Sequence, residues 1–291
     1  MSWDAVLIAG PTASGKSAAA LALAARIGGA IVNADSMQVY AEVRILTARP
    51  SDDDMARAPH LLYGQVSVRE PYSVGRYLAD AARALAEVRA MGRVPVFVGG
   101  TGLYFSALTE GIAEIPSVPA SVRDAVAARR AAIGPDAFHA ELCARDPDSA
   151  ARLRAGDTQR TLRAYEVSEA TGRPLSWWQT RMGTPLLHGM ALRRLVVMPP
   201  REALHAHIDA RFDGMLARGA LEEAAALPRI DPGLPAAKIL GLRELRAVHK
   251  GEMTLARAAG LAKTATRQYA KRQMTWIRNR MKDWTPMQDT A

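Results

Sequence analysis

The sequence predicts an α/β fold, with a parallel sheet flanked by helices and a helical insertion domain. Two kinds of segment indicate it: short apolar runs that end at glycine or proline, and amphipathic or alanine-rich segments between them. The 291 residues exceed one minimal domain, and a hydrophobic fraction of 49% is enough for a sizeable core. Disorder over most of the chain is therefore not expected.

Strands and helices alternate in the predicted core. The apolar runs predicted as buried strands are residues 4–9, 30–33, 94–98 and 192–198. The segments predicted as helices are residues 18–26, 77–91, 201–219 and 255–281. This alternation favours a parallel sheet, whose chemistry lies beyond the carboxyl ends of the strands. Asp35, Thr101 and the glycine-rich segment at 10–17 follow such ends, so we expect them to converge.

Residues 112–189 differ from the rest of the chain. Helical patterns alternate there with breaks marked by proline and glycine, and no strand pattern interrupts them. We therefore predict a core domain made of residues 1–111 and 190–291, which includes basic C-terminal helices. Residues 112–189 form the predicted helical insertion.

The segment after the first strand matches the phosphate-loop pattern G-x-x-x-x-G-K-[ST]. Its backbone N–H groups and the following helix N-terminus favour an anion, the lysine adds a charge, and the last hydroxyl can bind Mg²⁺. The pattern indicates a bound polyphosphate, either a nucleotide or a diphosphate ester. The residues predicted to bind it are Gly10, Pro11, Thr12, Ala13, Ser14, Gly15, Lys16 and Ser17.

The strand at 94–98 ends in Gly-Gly-Thr-Gly without a carboxylate. Nucleoside triphosphatases usually place an acidic residue at such a strand end to hold the metal. Its absence from this sequence weakens the interpretation as an ordinary ATPase and suits a site where diphosphate is a leaving group.

Basic residues are concentrated near the C-terminus. Residues 246–282 contain ten Lys and Arg and one Glu, and ten minus one gives +9, which equals the net charge of the whole chain. Such a surface favours a polyanionic partner such as nucleic acid, the alternative being a solvated helix.

Cysteine, histidine and apolar residues argue against several classes of protein and of site. Cys143 is the single cysteine, which rules out an internal disulfide framework and fits a reducing compartment. His205 and His207 are two residues apart and do not share a helix face, so a metal cluster has little support. No uncharged run reaches the ~18 residues that span a bilayer. We expect a soluble, cytoplasmic monomer without membrane contact.

Three longer segments resemble one family. They are Asp-Ser-Met-Gln-Val-Tyr at residues 35–40, Gly-Gly-Thr-Gly-Leu-Tyr at 99–104, and Arg-Gln-Tyr-Ala-Lys-Arg-Gln-Met-Thr-Trp-Ile-Arg at 267–278. With the phosphate loop they span nearly the whole chain, which resembles the tRNA dimethylallyltransferases, or IPP transferases. Leu46 and Arg49 depart from it, since the family commonly has Gly and Lys there.

The resemblance implies a P-loop kinase-like core and a defined reaction. A dimethylallyl group would pass from dimethylallyl diphosphate to N6 of the adenine immediately 3′ of the anticodon in tRNA, with Mg²⁺ as cofactor at Ser17. Asp35 would be the general base and Thr101 would donate to the bridging diphosphate oxygen. Lys16 and Arg211 would hold the remaining diphosphate oxygens.

The resemblance also implies contacts with the tRNA anticodon stem-loop. The target adenine must be flipped out of its stack to enter a pocket, where Ser36, Met37 and Gln38 would contact it. The residues expected to bind tRNA are Asp35, Ser36, Met37, Gln38, Thr101, Arg123, Gln159, Arg160, Thr161, Leu162, Arg163, Lys263, Arg267, Lys271, Arg272 and Arg278.

The spacing of the basic residues predicts one further feature. Lys263, Arg267 and Lys271 would share one helix face and repel one another, a cost that a phosphate backbone would relieve. Three alternatives stay open: prenylation of a free adenine nucleotide, a P-loop small-molecule kinase, and a nucleic-acid binding module without catalysis.

Overall fold

The computed structural model describes residues 3–287. These residues form two compact units. The first unit contains the described residues up to Leu108 and from Gly189 onward, and the second is Thr109–His188. None of the helices in the described part of the chain is long and apolar enough to cross a membrane.

The first unit is built on one six-stranded sheet. Its strands are β1 (Ala5–Ala9), β2 (Gly29–Asn33), β3 (His60–Leu61), β4 (Val94–Gly99), β5 (Leu192–Val196) and β6 (Thr285–Pro286). Their order is β3-β2-β4-β1-β5-β6, and every pairing is parallel. The predicted α/β fold with a parallel sheet is confirmed. The two edge strands have two residues each and were not predicted.

Twelve α-helices occur in the described residues. They are α1 (Lys16–Ile27), α2 (Asp52–Arg57), α3 (Val74–Ala90), α4 (Gly102–Thr109), α5 (Ala120–Arg145), α6 (Pro147–Ala150), α7 (Thr158–Thr171), α8 (Leu175–Gln179), α9 (Arg201–Ala217), α10 (Ala220–Ala226), α11 (Leu242–His249) and α12 (Leu255–Arg280). The long helices at 77–91, 201–219 and 255–281 were predicted within a few residues. Serine or threonine side chains cap α3 and α12 at their N-termini.

One cluster of the core of the first unit lies between the sheet and α1. All five residues of β1 are buried, as expected for a central strand of a parallel sheet. Ile8, Ile31 and Val98 of three neighbouring strands pack with Leu21 and Leu23 of α1 in one apolar cluster. Because this packing fixes α1 against β1, it also fixes the loop that joins them.

The second unit is helical. Phe138 and Leu142 of α5 pack with Ala164 and Tyr165 of α7. The helix α5 is kinked at Gly134, which has a φ of 81° and precedes a proline. Its described residues contain helices and one isolated bridge but no strand, which agrees with the helical pattern seen in the sequence.

Candidate active site

The loop between β1 and α1 has the geometry of an anion cradle. Gly15 precedes the first helical residue with a φ of 84°, a left-handed conformation that favours glycine. Ser14 and Lys16 are both buried, and Lys16 Nζ donates to the carbonyl of Pro11 at 3.1 Å. Ser14 Oγ is buried without a hydrogen-bond partner within residues 3–287. An unsatisfied buried hydroxyl at this position is a ready donor to an anionic ligand.

A cavity of about 390 Å³ opens above this loop. It brings together three of the predicted catalytic residues, Asp35, Lys16 and Arg211. The residues that line it are Thr12, Ala13, Ser14, Gly15, Lys16, Ser17, Ala18, Asp35, Gln38, Thr47, Ala48, His207 and Arg211. Gly10, Pro11, Ser36, Met37 and Thr101, which were also predicted as site residues, lie outside this lining.

Two cations and one carboxylate set the electrostatics of the cavity. Burial lowers the pKa of the Lys16 ammonium to about 8, the charge of Asp35 opposes this effect, and that of Arg211 adds to it. Burial also lowers the pKa of Arg211, whereas Asp35 raises it. Arg211 has no carboxylate within ion-pair distance in the described part of the chain. Since an unpaired, partly desolvated cation is costly, the cavity favours an anionic ligand.

Asp35 is held in place by a buried asparagine that was not singled out in the sequence. Asn33 Nδ2 donates to the carbonyls of Asp35 at 2.9 Å and Leu62 at 3.1 Å, and its Oδ1 accepts from the N–H of Asp35 at 2.8 Å. Asp35 Oδ1 accepts from the N–H of Met37 at 3.0 Å, and Oδ2 has no partner among residues 3–287. One carboxylate oxygen is thus fixed and the other is available. The signal for Asn33 was a polar side chain at the end of a buried strand.

Thr101 lies directly beside the segment that carries Asp35. Its Oγ1 accepts from the N–H of Ser36 at 2.9 Å and donates to Ser36 Oγ at 3.2 Å. The two segments meet closely at Gly99, where a Cβ atom would overlap the carbonyl of Ala34. Residue 99 must therefore be glycine for Thr101 to reach this position.

Gln38 fixes the segment of the cavity lining that contains Thr47 and Ala48. Its Nε2 donates to the carbonyls of Thr47 at 3.0 Å and Ala48 at 2.7 Å. Both amide hydrogens are thereby used within the protein, so the predicted paired contact with adenine would need one of these bonds to break. Four of the cavity residues were not predicted as site residues: Ala18, Thr47, Ala48 and His207.

The two departures from the family pattern have structural roles. Arg49 Nη1 donates to the carbonyls of Tyr40 and Ala41 at 3.1 and 2.9 Å. The N–H of Leu46 donates to Glu223 of α10 at 2.9 Å, and Glu223 also accepts from the two preceding N–H groups. These contacts stabilise the loop that carries Thr47 and Ala48.

Two tyrosine side chains, Tyr63 and Tyr269, are within range of the charge of Asp35. Burial raises the pKa of both Tyr63 and Tyr269, and the charge of Asp35 raises it further in each case. These phenols stay protonated near neutral pH and remain hydrogen-bond donors.

We expected Lys263, Arg267 and Lys271 to repel one another along α12. This expectation is wrong for Lys263 and Arg267, because each has a carboxylate partner. Lys263 pairs with Asp213 of α9 at 2.7 Å, and Arg267 pairs with Asp209 at 2.6 Å. Both cations are half-buried, and their ion pairs connect α12 to α9, the helix that carries Arg211. In contrast, Lys271, Arg272 and Arg278 are exposed and have no carboxylate partner in the described ranges.

The second unit holds the remaining residues predicted to bind tRNA. Thr161 is buried, and its hydroxyl bonds the carbonyls of Asp157 and Thr158; Leu162 packs against the core of the unit. Arg160 is exposed and pairs with Asp157 at 3.3 Å. Three further predicted side chains are exposed to solvent, those of Arg123, Gln159 and Arg163.

Such a sheet, loop and cavity define the phosphate-loop class of α/β enzymes. The model of the IPP transferase family matches residues 38–280, and that of the isopentenyl transferases matches residues 3–69. The chain belongs to the IPP transferase family.

Individual relatives agree with this membership. The chain is 55% identical to a tRNA dimethylallyltransferase of Parvibaculum lavamentivorans, covering 96% of this chain and 89% of that protein. It is 54% identical to a tRNA dimethylallyltransferase of a Bradyrhizobium species, covering 98% of this chain and 95% of that protein.

Two solved structures are similar to this chain. A eukaryotic dimethylallyltransferase acting on tRNA has a TM-score of 0.79 at 28% identity, covering 94% of this chain and 69% of that one. The tRNA isopentenylpyrophosphate transferase of Bacillus halodurans has a TM-score of 0.65 at 30% identity, covering 97% and 88%.

Proposed function

We propose that this protein transfers a dimethylallyl group from dimethylallyl diphosphate to N6 of the adenine immediately 3′ of the anticodon in tRNA, with release of diphosphate. One observation carries the proposal: the Asp35 carboxylate lines the same cavity as the phosphate loop, Lys16 and Arg211. A base beside an anion cradle is what a transfer from a diphosphate ester to an amine requires. The relatives named tRNA dimethylallyltransferase supply the acceptor.

The diphosphate of the donor would lie on the phosphate loop. The loop N–H groups and the Ser14 hydroxyl would donate to its oxygens, and Lys16 and Arg211 would neutralise it from two sides. This placement satisfies the polar groups that the cavity leaves without partners. The allylic carbon would then lie in the cavity that Asp35 also lines.

The cavity fits a Mg²⁺ ion that takes few of its ligands from the protein. No group of three His, Cys, Asp or Glu side chains in residues 3–287 could hold a metal ion alone. Mg²⁺ is usually bound by one or two protein oxygens together with substrate phosphates and water. Ser17 lines the cavity and would hold the ion against the diphosphate. When bound, the ion would supply charge neutralisation to the leaving group.

The reaction would proceed as the flipped adenine meets the donor. As the allylic C–O bond lengthens and the new C–N bond forms, the amine loses a proton to Asp35 Oδ2, the oxygen without a partner in the described residues. Negative charge grows at the same time on the bridging diphosphate oxygen. Thr101 can donate to that oxygen if its proton leaves Ser36 Oγ, the acceptor in this structure.

Product analysis tests the proposal directly. Unmodified tRNA would be incubated with the protein, Mg²⁺ and dimethylallyl diphosphate, then digested to nucleosides for mass spectrometry. We expect N6-dimethylallyl adenosine from tRNA and none from free adenine nucleotides. Modified free nucleotide with unmodified tRNA, or ATP consumption without donor, would instead support one of the alternative functions.

The pKa of Lys16 predicts a pH dependence for donor capture. Lys16 is charged below about 8 and neutral above it. Because only the ammonium attracts the diphosphate, kcat/KM for the donor should fall as the pH rises through that value. The Lys16→Arg variant keeps its charge over this range, so its profile should lack the fall. An identical alkaline fall in both proteins would assign it to another group.

The ion pairs of α12 predict which of its cations contact RNA. Lys271→Ala should weaken tRNA binding and reduce the slope of log affinity against log salt by about 1. Lys263→Ala removes a cation that already has a partner in Asp213, so its salt slope should change less while its melting temperature falls. Filter binding at several salt concentrations measures both. Equal slopes for the two variants would contradict the distinction.

A further inference from the structure

A buried glutamine of α12 joins the two loops that carry the proposed catalytic groups. Gln273 is 6% exposed. Its Oε1 accepts from the N–H of Thr12 at 2.8 Å, and its Nε2 donates to the carbonyl of Gly100 at 2.8 Å. Thr12 belongs to the phosphate loop, and Gly100 directly precedes Thr101. One side chain therefore bridges the diphosphate cradle and the proposed leaving-group donor.

The bridge has a single orientation. Its two backbone partners are a donor at residue 12 and an acceptor at residue 100, so the amide of Gln273 cannot flip without losing both bonds. The helix α12 also approaches the backbone at residues 100–102 closely. A Cβ atom at Gly100 would overlap Gln273 Nε2, and one at Gly102 would overlap the Trp276 ring. The face of α12 formed by Gln273 and Trp276 thus packs directly against backbone.

The bridge also changes the donor set of the phosphate loop. The N–H of Thr12 points to Gln273, which leaves the diphosphate to the later amides of the loop and to Ser14. The position of the loop relative to Thr101 is then set by Gln273. That separation decides whether Thr101 reaches the bridging oxygen while the outer phosphates lie on the loop.

We infer that Gln273 is a positioning residue for the transfer, holding the phosphate loop and Thr101 at the separation that one bound diphosphate requires. The inference rests on the proposed function. A misplacement of about 1 Å between reacting groups can reduce turnover by roughly 100-fold. Gln273 acts through Thr12 and Gly100 and touches no reacting atom itself.

Two substitutions at position 273 separate hydrogen bonding from packing. Gln273→Met keeps the length and volume of the side chain and loses both bonds. We expect kcat to fall about 10- to 100-fold and the KM for dimethylallyl diphosphate to rise, with an unchanged dissociation constant for tRNA. Gln273→Glu keeps the acceptor for Thr12 but places an acceptor against the Gly100 carbonyl, so it should not rescue kcat. Thr275→Ala, on the exposed side of the same helix, is the matched control and should behave as wild type.

A double-mutant cycle distinguishes positioning from a general loss of stability. If Gln273 acts through Thr101, Gln273→Met should lower kcat much less in a Thr101→Ala background than in the wild type. Wild-type kcat and donor KM in Gln273→Met, or fully additive effects in the cycle, would overturn the inference alone. Absence of prenylated adenosine with the wild-type protein would overturn the proposed function together with it.

Discussion

Replacing Asp35 by asparagine is expected to abolish most of the transfer and to leave tRNA binding nearly intact. The carboxamide oxygen can still accept from the N–H of Met37, and the backbone bonds to Asn33 are unaffected, so the segment keeps its position. What is lost is the oxygen that takes the amine proton. Loss of a general base usually reduces the rate by about 10²–10⁴-fold. Single-turnover measurements with saturating donor and tRNA would give this ratio.

The control for Asp35→Asn is a measurement of tRNA affinity under the same conditions. The Lys271→Ala variant should show the opposite pattern, with weakened tRNA binding and nearly unchanged single-turnover rate at saturation. Asp35→Asn with a wild-type single-turnover rate would remove Asp35 from the proposed chemistry. A combined loss of rate and tRNA affinity would instead assign it to RNA binding.

Local patterns predicted the centre of the fold. The strand β1, the loop from Gly10 to Ser17 and the start of α1 follow one another within a few residues, and each is marked by a strong signal in the sequence. The edge strands β3 and β6 were missed because two residues cannot show a period, and their pairing depends on neighbours far along the chain.

Contacts between distant residues lay beyond sequence reasoning. Gln273 and Thr12 are 261 positions apart, so no local pattern could pair them. The same holds for Lys263 and Arg267, whose carboxylate partners lie on α9. The spacing of these cations was correctly read from the helix period, but the expected repulsion was wrong since α9 neutralises it. His207 was considered only as a metal ligand and instead lines the cavity.

Replacing Lys16 by alanine is expected to weaken donor binding more than any later step. The ammonium is buried beside the loop, and its one hydrogen bond within residues 3–287 goes to the carbonyl of Pro11. Removing a charged donor from an anion site costs about 1.5–3 kcal/mol. Since 1.4 kcal/mol is a factor of ten, donor affinity should fall roughly 10- to 100-fold. Titration calorimetry with dimethylallyl diphosphate and Mg²⁺ measures the affinity without turnover.

The Lys16 result separates a held leaving group from a transferred phosphoryl group. If Lys16 binds a diphosphate that departs as a unit, inorganic diphosphate should bind the wild type and lose affinity in Lys16→Ala by a similar factor as the donor does. Arg211→Ala should weaken both ligands in the same way, because Arg211 faces the same cavity without a carboxylate partner in the described chain. Unchanged affinity of Lys16→Ala for donor and diphosphate would mean that the cradle holds neither, and the transfer would need another site.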